Sequence, residues 1–228
     1  MRSVAGIGVL DKAMAVLDAV AQARRLDLAG LVSTTGLTRA TAHRLARGLE
    51  AHGLLERDAS GAFVVGLRVV ELAGAAGAGR DLRGAARPVM EGLAAATGES
   101  VQLFVREGDA RVCIEAVDSA RGLRDIVPVG ARLPLTAGSG AKVLRAWVGE
   151  ATGELDGVRR KGWAESVAER EPGVASVSAP VRDGTGRVVA ALSVSGPIER
   201  LTRRPGRRHA AAVVDAAAAI SGRLGSSG

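Results

Sequence analysis

The segment Asp27 to Gly66 constrains this chain most, because two short helical patterns flank a tight turn at Thr35-Gly36-Leu37 and a hairpin follows. In the second pattern, Thr38 to His52, residues Ala42, Leu45, Ala46 and Leu49 recur at i, i+3, i+4 and i+7 and so share one face. The opposite face carries Ala40, Arg44, Arg47 and Ala51, flanked by Thr41 and His43. Thr38 suits an N-cap, whose hydroxyl accepts a first-turn amide. Gly36 suits the left-handed position after the preceding helix, where a Cβ would clash. That helix starts at Asp27, a second N-cap, and its Leu28, Leu31 and Val32 supply an apolar edge that braces its successor. Beyond His52-Gly53, Leu54 to Arg57 and Ala62 to Val65 read as two strands around the turn Asp58-Ala59-Ser60-Gly61.

Helix, turn, helix and hairpin in that order predict a winged helix-turn-helix, with double-stranded DNA as its partner. Thr38, Arg39, Ala40, His43 and Arg44 lie in the first turns of the second helix, with Thr41 beside them, where such a helix meets base edges. Ser33, Thr34, Thr35 and Arg47 are better placed for backbone phosphates. Arg57 on the wing has two readings: a contact to the minor groove or a phosphate, or a solvated edge charge that blunts the strand against aggregation. The net charge of +7 is not concentrated here, since residues 1 to 66 hold 8 basic and 6 acidic side chains and residues 67 to 228 hold 23 and 18. DNA affinity must rest on the local geometry of Arg39, Arg44 and Arg47, in a stretch with no acid between Asp27 and Glu50.

A chain of 228 residues that is 47% hydrophobic can bury one sizeable core and a small second one. The expected domains are a head, 1–66, a linker helix, 67–80, and a body, 81–228. The linker has Val69, Val70, Leu72 and Ala73 before a Gly-rich stretch, Gly74 to Gly79, that would fray. In the body, Asp81 to Thr97 reads as a helix stopped by Gly98, with Pro88 implying a kink or a late start. Strands are expected at Ser100 to Arg106, Arg111 to Val117, Leu123 to Val127, Ser176 to Val181 and Val188 to Val194. Helices are expected around Lys142 to Val148 and Arg207 to Leu224, which makes the body α+β.

Catalysis finds little support. The only cysteine, Cys113, excludes an intramolecular disulfide and lies in a strand-like run, so it reads as a buried structural thiol. The body's only histidine, His209, reads as a helix cap or a solvated side chain, and no nucleophile triad or metal-ligand spacing accompanies it. No enzyme activity, metal or cofactor is expected. Residues 1 to 20 lack the apolar core of a signal peptide and no long uncharged apolar run occurs, so a cytoplasmic protein with no membrane partner is expected. The Gly138-Ser139-Gly140-Ala141 turn opens the helix at Lys142, where free amides and the helix dipole suit a carboxylate. A phosphate loop is excluded because Ala141 and Val143 flank Lys142 where Gly and Ser or Thr would be needed. Ser193 and Ser195 alternate onto one face of their strand.

The run Leu37-Thr38-Arg39-Ala40-Thr41-Ala42-His43-Arg44-Leu45, followed by Leu49-Glu50-Ala51-His52-Gly53-Leu54-Leu55, resembles the DNA-binding domain of the IclR family of bacterial transcription regulators. The resemblance continues through Leu133 to Lys142, Arg159 to Trp163, Glu171 to Val174, Ala179 to Asp183 and Ala191 to Pro197, in family order. It implies a GAF-like effector-binding body, an antiparallel sheet with flanking helices, and a linker helix that makes a dimer contact. It also implies effector-contact positions at Ser139, Gly140, Ser176, Ser193 and Ser195, with Ala141 in the same turn. The chain departs from the family in a shortened Trp147 to Gly157, and in Ser166-Val167-Ala168, where relatives often carry acids and a polar ligand contact would be missing. The expected function is a ligand-responsive regulator, a repressor, that binds a pseudo-palindromic operator as a homodimer or homotetramer and responds to a small organic acid. The competing reading is a small-molecule-binding module or minor enzyme whose winged domain mediates protein contacts.

Overall fold

The computed structural model describes residues 8–75, 77–148 and 153–225, and for residues 73–81 the backbone alone. The chain divides into two compact units, Met1–Gly77 and Ala78–Gly228.

The first unit contains α1 (Gly8–Ala23), α2 (Leu28–Thr35), α3 (Arg39–Ala51), β1 (Leu55–Arg57), β2 (Phe63–Val65) and α4 (Leu67–Ala75). The caps act as their residue types dictate. The Gly30 amide donates to Asp27 Oδ1 at 2.7 Å, Gly36 is left-handed at φ 68°, and Thr38 Oγ1 accepts the Thr41 amide at 3.4 Å. The apolar stripe of α3 is buried as its spacing requires, and Leu45, Ala46 and Leu49 join Leu31, Leu55 and Phe63 in one core. That core also takes Val16, Ala19 and Val20 from α1, a helix absent from the sequence reading although its apolar residues repeat at helical spacing. The wing pairs Leu55 with Val65 and Arg57 with Phe63, while Phe63 also exchanges two backbone bonds with Leu26, at 2.7 and 3.0 Å. Gly66 closes the wing: its amide bonds the Leu54 carbonyl, and a Cβ there would lie 2.2 Å from the Gly53 carbonyl oxygen, so no side chain fits without moving backbone.

The second unit begins with α5 (Gly77–Thr97), ended by a left-handed Gly98 at φ 72°. Pro88 causes no late start, because it and Gly84 are both on the exposed side and water can take the carbonyl that proline leaves unbonded. Then come β3 (Ser100–Glu107), β4 (Ala110–Val117), β5 (Arg132–Pro134), α6 (Ser139–Ala146), α7 (Gly153–Lys161), β6 (Ala164–Val167), β7 (Val174–Arg182), β8 (Val188–Pro197), α8 (Ile198–Leu201) and α9 (Pro205–Gly225). The six strands form one antiparallel sheet in the order β5-β4-β3-β8-β7-β6. One face buries Val101, Leu103, Val177, Leu192 and Val194 against Ala86 and Met90 of α5 and Val213, Ala217 and Ile220 of α9. The other buries Phe104, Cys113 and Ala191 against Val143 and Leu144 of α6 and Leu155 and Val158 of α7. A sheet covered on both faces explains why β8 is buried from Ala190 to Pro197 and why its alternation is apolar toward one side and serine toward the other. The architecture is α+β.

Two expectations are corrected. Leu123 to Val127 is not a strand: Leu123 and Ile126 are exposed and Asp125 and Val127 buried, yet the segment joins no ladder among the described residues. Its alternation comes from Asp125, which binds Arg170, and from Val127, which enters the second core. His209 is neither cap nor solvated side chain, for it is 6% exposed on the inner face of α9. Burial, and then the Arg208 charge, hold its pKa below 6.5. Its contribution to stability is therefore complete above pH 6.5 and lost as pH falls toward the folded value, because the unfolded chain binds the proton first. The thermal midpoint of the second unit should drop between pH 7 and 5, and His209→Gln should flatten that dependence; a profile unchanged by the substitution would refute the assignment. Cys113 is fully buried in β4, as expected, and burial pushes its thiol up to about 12. The shortened segment includes residues 149–152, which lie outside the described residues; in the stretch expected to fray, residue 76 lies outside them, whereas 74–75 and 77–79 are helical backbone in α4 and α5.

Candidate nucleic-acid interface and effector pocket

The capped start of α3 presents Arg39, Ala40, His43 and Arg44 to solvent. Among the described residues, the side chains of Arg39, His43 and Arg44 have no hydrogen-bond or ion-pair partner within the chain. The other candidates are partly committed. The Thr38 and Thr41 hydroxyls bond each other at 2.9 Å across the cap. The Thr35 hydroxyl donates to the Leu31 carbonyl at 2.6 Å, whereas Ser33 and Thr34 are exposed at the end of α2. Arg47 lies 3.8 Å from Glu50, in a loose surface pair. Arg57 is held to the wing: it sits 3.3 Å from Glu50, donates to the Gly61 carbonyl at 2.8 Å and covers the Phe63 ring at 4.2 Å. Arg25, which the sequence reading did not single out, braces the same turn through Asp58 at 2.8 Å. The Asp58 carboxylate is held below its ordinary pKa, first by the Ser60 hydroxyl.

In the second unit, Gly138, at φ 96°, introduces α6 with no side-chain cap of its own, and its amide donates to Glu169 Oε2 at 3.2 Å. The amides of Ser139, Gly140 and Ala141 precede the first intrahelical bond, from Lys142 to the Gly138 carbonyl. The sheet brings serines beneath this turn, because β7 and β8 pair Ser176 with Ser195 and Ser178 with Ser193. Ser139 Oγ bonds Ser176 Oγ and Ser178 Oγ, both at 2.7 Å, Ser178 continues the chain to Ser193, and Ser195 donates to Gln102 Oε1 at 3.0 Å. Gly140 lies so close that a Cβ would be 3.2 Å from Ser193 Oγ. Of the six residues singled out from the sequence, Ser139, Gly140, Ser176, Ser193 and Ser195 line one cavity of about 20 Å³. That volume holds about one water. The Ala141 side chain instead packs into the second core. Ser166 lines the cavity with a buried hydroxyl, so the departure there substitutes a polar group and does not remove one.

The charged part of this cavity was missed. Arg111, 3% exposed, donates to the Pro134 and Ala137 carbonyls at 2.5 and 2.8 Å and lies 5.3 Å from the Phe104 ring centre. Burial, and then Arg170, push its pKa down to about 10. Arg170 grips both oxygens of Asp125 at 2.7 and 2.8 Å. A usable signal existed for Arg111, which shares strand parity with the buried Cys113. Asp125 and Arg170 had none, for they are 45 residues apart and neither belongs to a regular element.

Comparison with known proteins gives these two surfaces a family. The model described as the IclR helix-turn-helix domain matches residues 9–59, and that described as the bacterial transcriptional regulator IclR C-terminal matches 75–153 and 151–222. The chain is 30% identical to the HTH-type transcriptional regulator KipR of Bacillus subtilis, covering 94% of this chain and 96% of that one. It is 33% identical to the glycerol operon regulatory protein of Streptomyces griseus, covering 95% and 96%. Among solved structures, the fold matches an IclR homologue of Microbacterium hydrocarbonoxydans complexed with 4-hydroxybenzoate at a TM-score of 0.80, 23% identity and coverage of 95% and 98%. With both family models matched in order along nearly all of the chain, this protein belongs to the IclR family of DNA-binding transcriptional regulators.

Proposed function

We propose that this regulator is a repressor whose head, residues 1–66, binds a pseudo-palindromic operator, whose linker, 67–80, joins protomers, and whose body, 81–228, binds a small organic acid. The observation that carries the reading is the exposed start of α3, where the side chains of Arg39, His43 and Arg44 have no partner among the described residues. Side chains free of internal bonds break none when they turn to base edges, with Thr38, Ala40 and Thr41 beside them. Ser33, Thr34, Thr35 and Arg47 then face phosphates, and Arg57 stiffens the wing while offering its exposed edge to the backbone.

Dimerisation is supported by apolar side chains that remain uncovered. Val9, Leu10 and Met14 of α1, and Leu67, Val70 and Leu72 of α4, are all 44–65% exposed. A homodimer, or a pair of them as a homotetramer, places two copies of α3 on two half-sites. The uncapped amides of Ser139, Gly140 and Ala141, with the hydroxyls of Ser176, Ser193 and Ser195, suit a carboxylate. A solved relative of the same fold holds 4-hydroxybenzoate, itself an organic acid. Binding switches the dimer by differential affinity for the arrangements that do and do not fit the operator, and the protein works in the cytoplasm. Sequencing genomic fragments recovered with the purified protein should return one enriched site with inverted half-sites about one helical turn apart. Recovery of fragments without a common sequence would reject the operator reading.

A further inference from the structure

Resting on the reading of the body as an acid-binding domain, we propose that Arg111 is the charge anchor of the ligand and that the ligand is a small, hydroxylated aliphatic monocarboxylate. Three charged side chains line the cavity, Arg111, Arg170 and Asp125. Asp125 neutralises Arg170, whereas the bonds of Arg111 go to neutral carbonyls, so one positive charge stays buried without a counterion among the described residues. A buried charge of this kind is stabilised by one anion. Its position agrees with this role: Nη2 lies 3.1 Å from where a Gly138 Cβ would be, so the guanidinium borders the turn that offers the free amides.

Two buried donors in the cavity wall lack partners, Arg111 Nε and Gln102 Nε2, and Gln102 is 1% exposed. Together they ask for acceptors at more than one point of the ligand. The serine hydroxyls around them both donate and accept, which matches alcohol groups on the ligand. Phe104 is the one aromatic residue in the lining, and it lies beside the Arg111 guanidinium. The polar wall favours an oxygenated chain over a ring, and the cavity, which holds about one water, has to widen to admit it.

Calorimetric titration of the full chain with glycerate, lactate, lactamide and benzoate tests this. Glycerate should bind, lactate more weakly, and lactamide and benzoate at least tenfold more weakly than glycerate. Arg111→Met should lose at least tenfold in glycerate affinity, Arg111→Lys should fall between it and the parent, and Gln102→Leu should lose several-fold. If Arg111→Met does not fold by circular dichroism, Arg111→Lys and Gln102→Leu decide the question. Glycerate affinity unchanged in the folded variants, benzoate binding at least as tightly as glycerate, or no acid binding at all would overturn the proposal. A parallel DNA titration separates the two readings: operator binding without acid binding overturns the anchor alone, and Arg111-dependent glycerate binding without DNA binding overturns the regulator alone.

Discussion

Arg44→Ala is expected to weaken operator binding about 5- to 150-fold, the equivalent of roughly 1–3 kcal/mol for a bidentate contact to a guanine edge. The expectation rests on place and availability. Arg44 is one turn into α3, on the face opposite Ala42, Leu45, Ala46 and Leu49, and no carboxylate or carbonyl within the described chain occupies its guanidinium. Arg47→Ala should do less and do it differently, lowering affinity for specific and random duplexes alike and reducing the salt slope by about 1. Anisotropy titrations of both variants across a salt series separate these outcomes. If Arg44→Ala left both affinity and slope unchanged, α3 would not be the helix that meets DNA.

Phe63→Ala is expected to remove about 3–5 kcal/mol from the head, the usual cost of deleting a buried phenyl group. Phe63 is fully buried, holds Leu26 through two backbone bonds and pairs with Arg57 across the wing. The head core is small, and domains of this size have little stability to spare. DNA binding should vanish because the head unfolds, while the second unit, with its separate cores, keeps its own melting transition and its response to acids. Calorimetry of the full chain should therefore show one transition lost or shifted far down and one retained. A melt superimposable on that of the parent would mean that Phe63 does not hold the wing.

The head was legible because its information is local. The stripe of α3, the caps Asp27 and Thr38 and the left-handed Gly36 each act within one or two turns, so spacing alone places them. The long strands of the body were legible for the same reason, through alternation that survives over eight to ten residues. The three residues of β5 and four of β6 are too short to show a period, and Leu123 to Val127 shows one without any partner strand. Half of the pocket was legible too: Ser193 and Ser195 declared their shared face, and Gly138 to Ala141 declared a helix start. The other half depends on strand order. Ser195 meets Gln102 across 93 positions of sequence because β3 and β8 are neighbours, and Arg111 meets Ala137 because the loop after β5 returns over β4. Nothing local in Gln102 or Arg170 announces such a meeting, whereas Ser178 shares a strand face with Ser176 and was passed over.

The pocket in the body is proposed to govern the reading helix in the head, and one titration tests that link. Labelled operator duplex is titrated with the full chain, with and without glycerate at a concentration that saturates the body by calorimetry. The predicted result is a change in operator affinity of about 5- to 150-fold, the usual size of a coupling between sites, with random duplex unaffected. Identical operator affinity in the two titrations would contradict it.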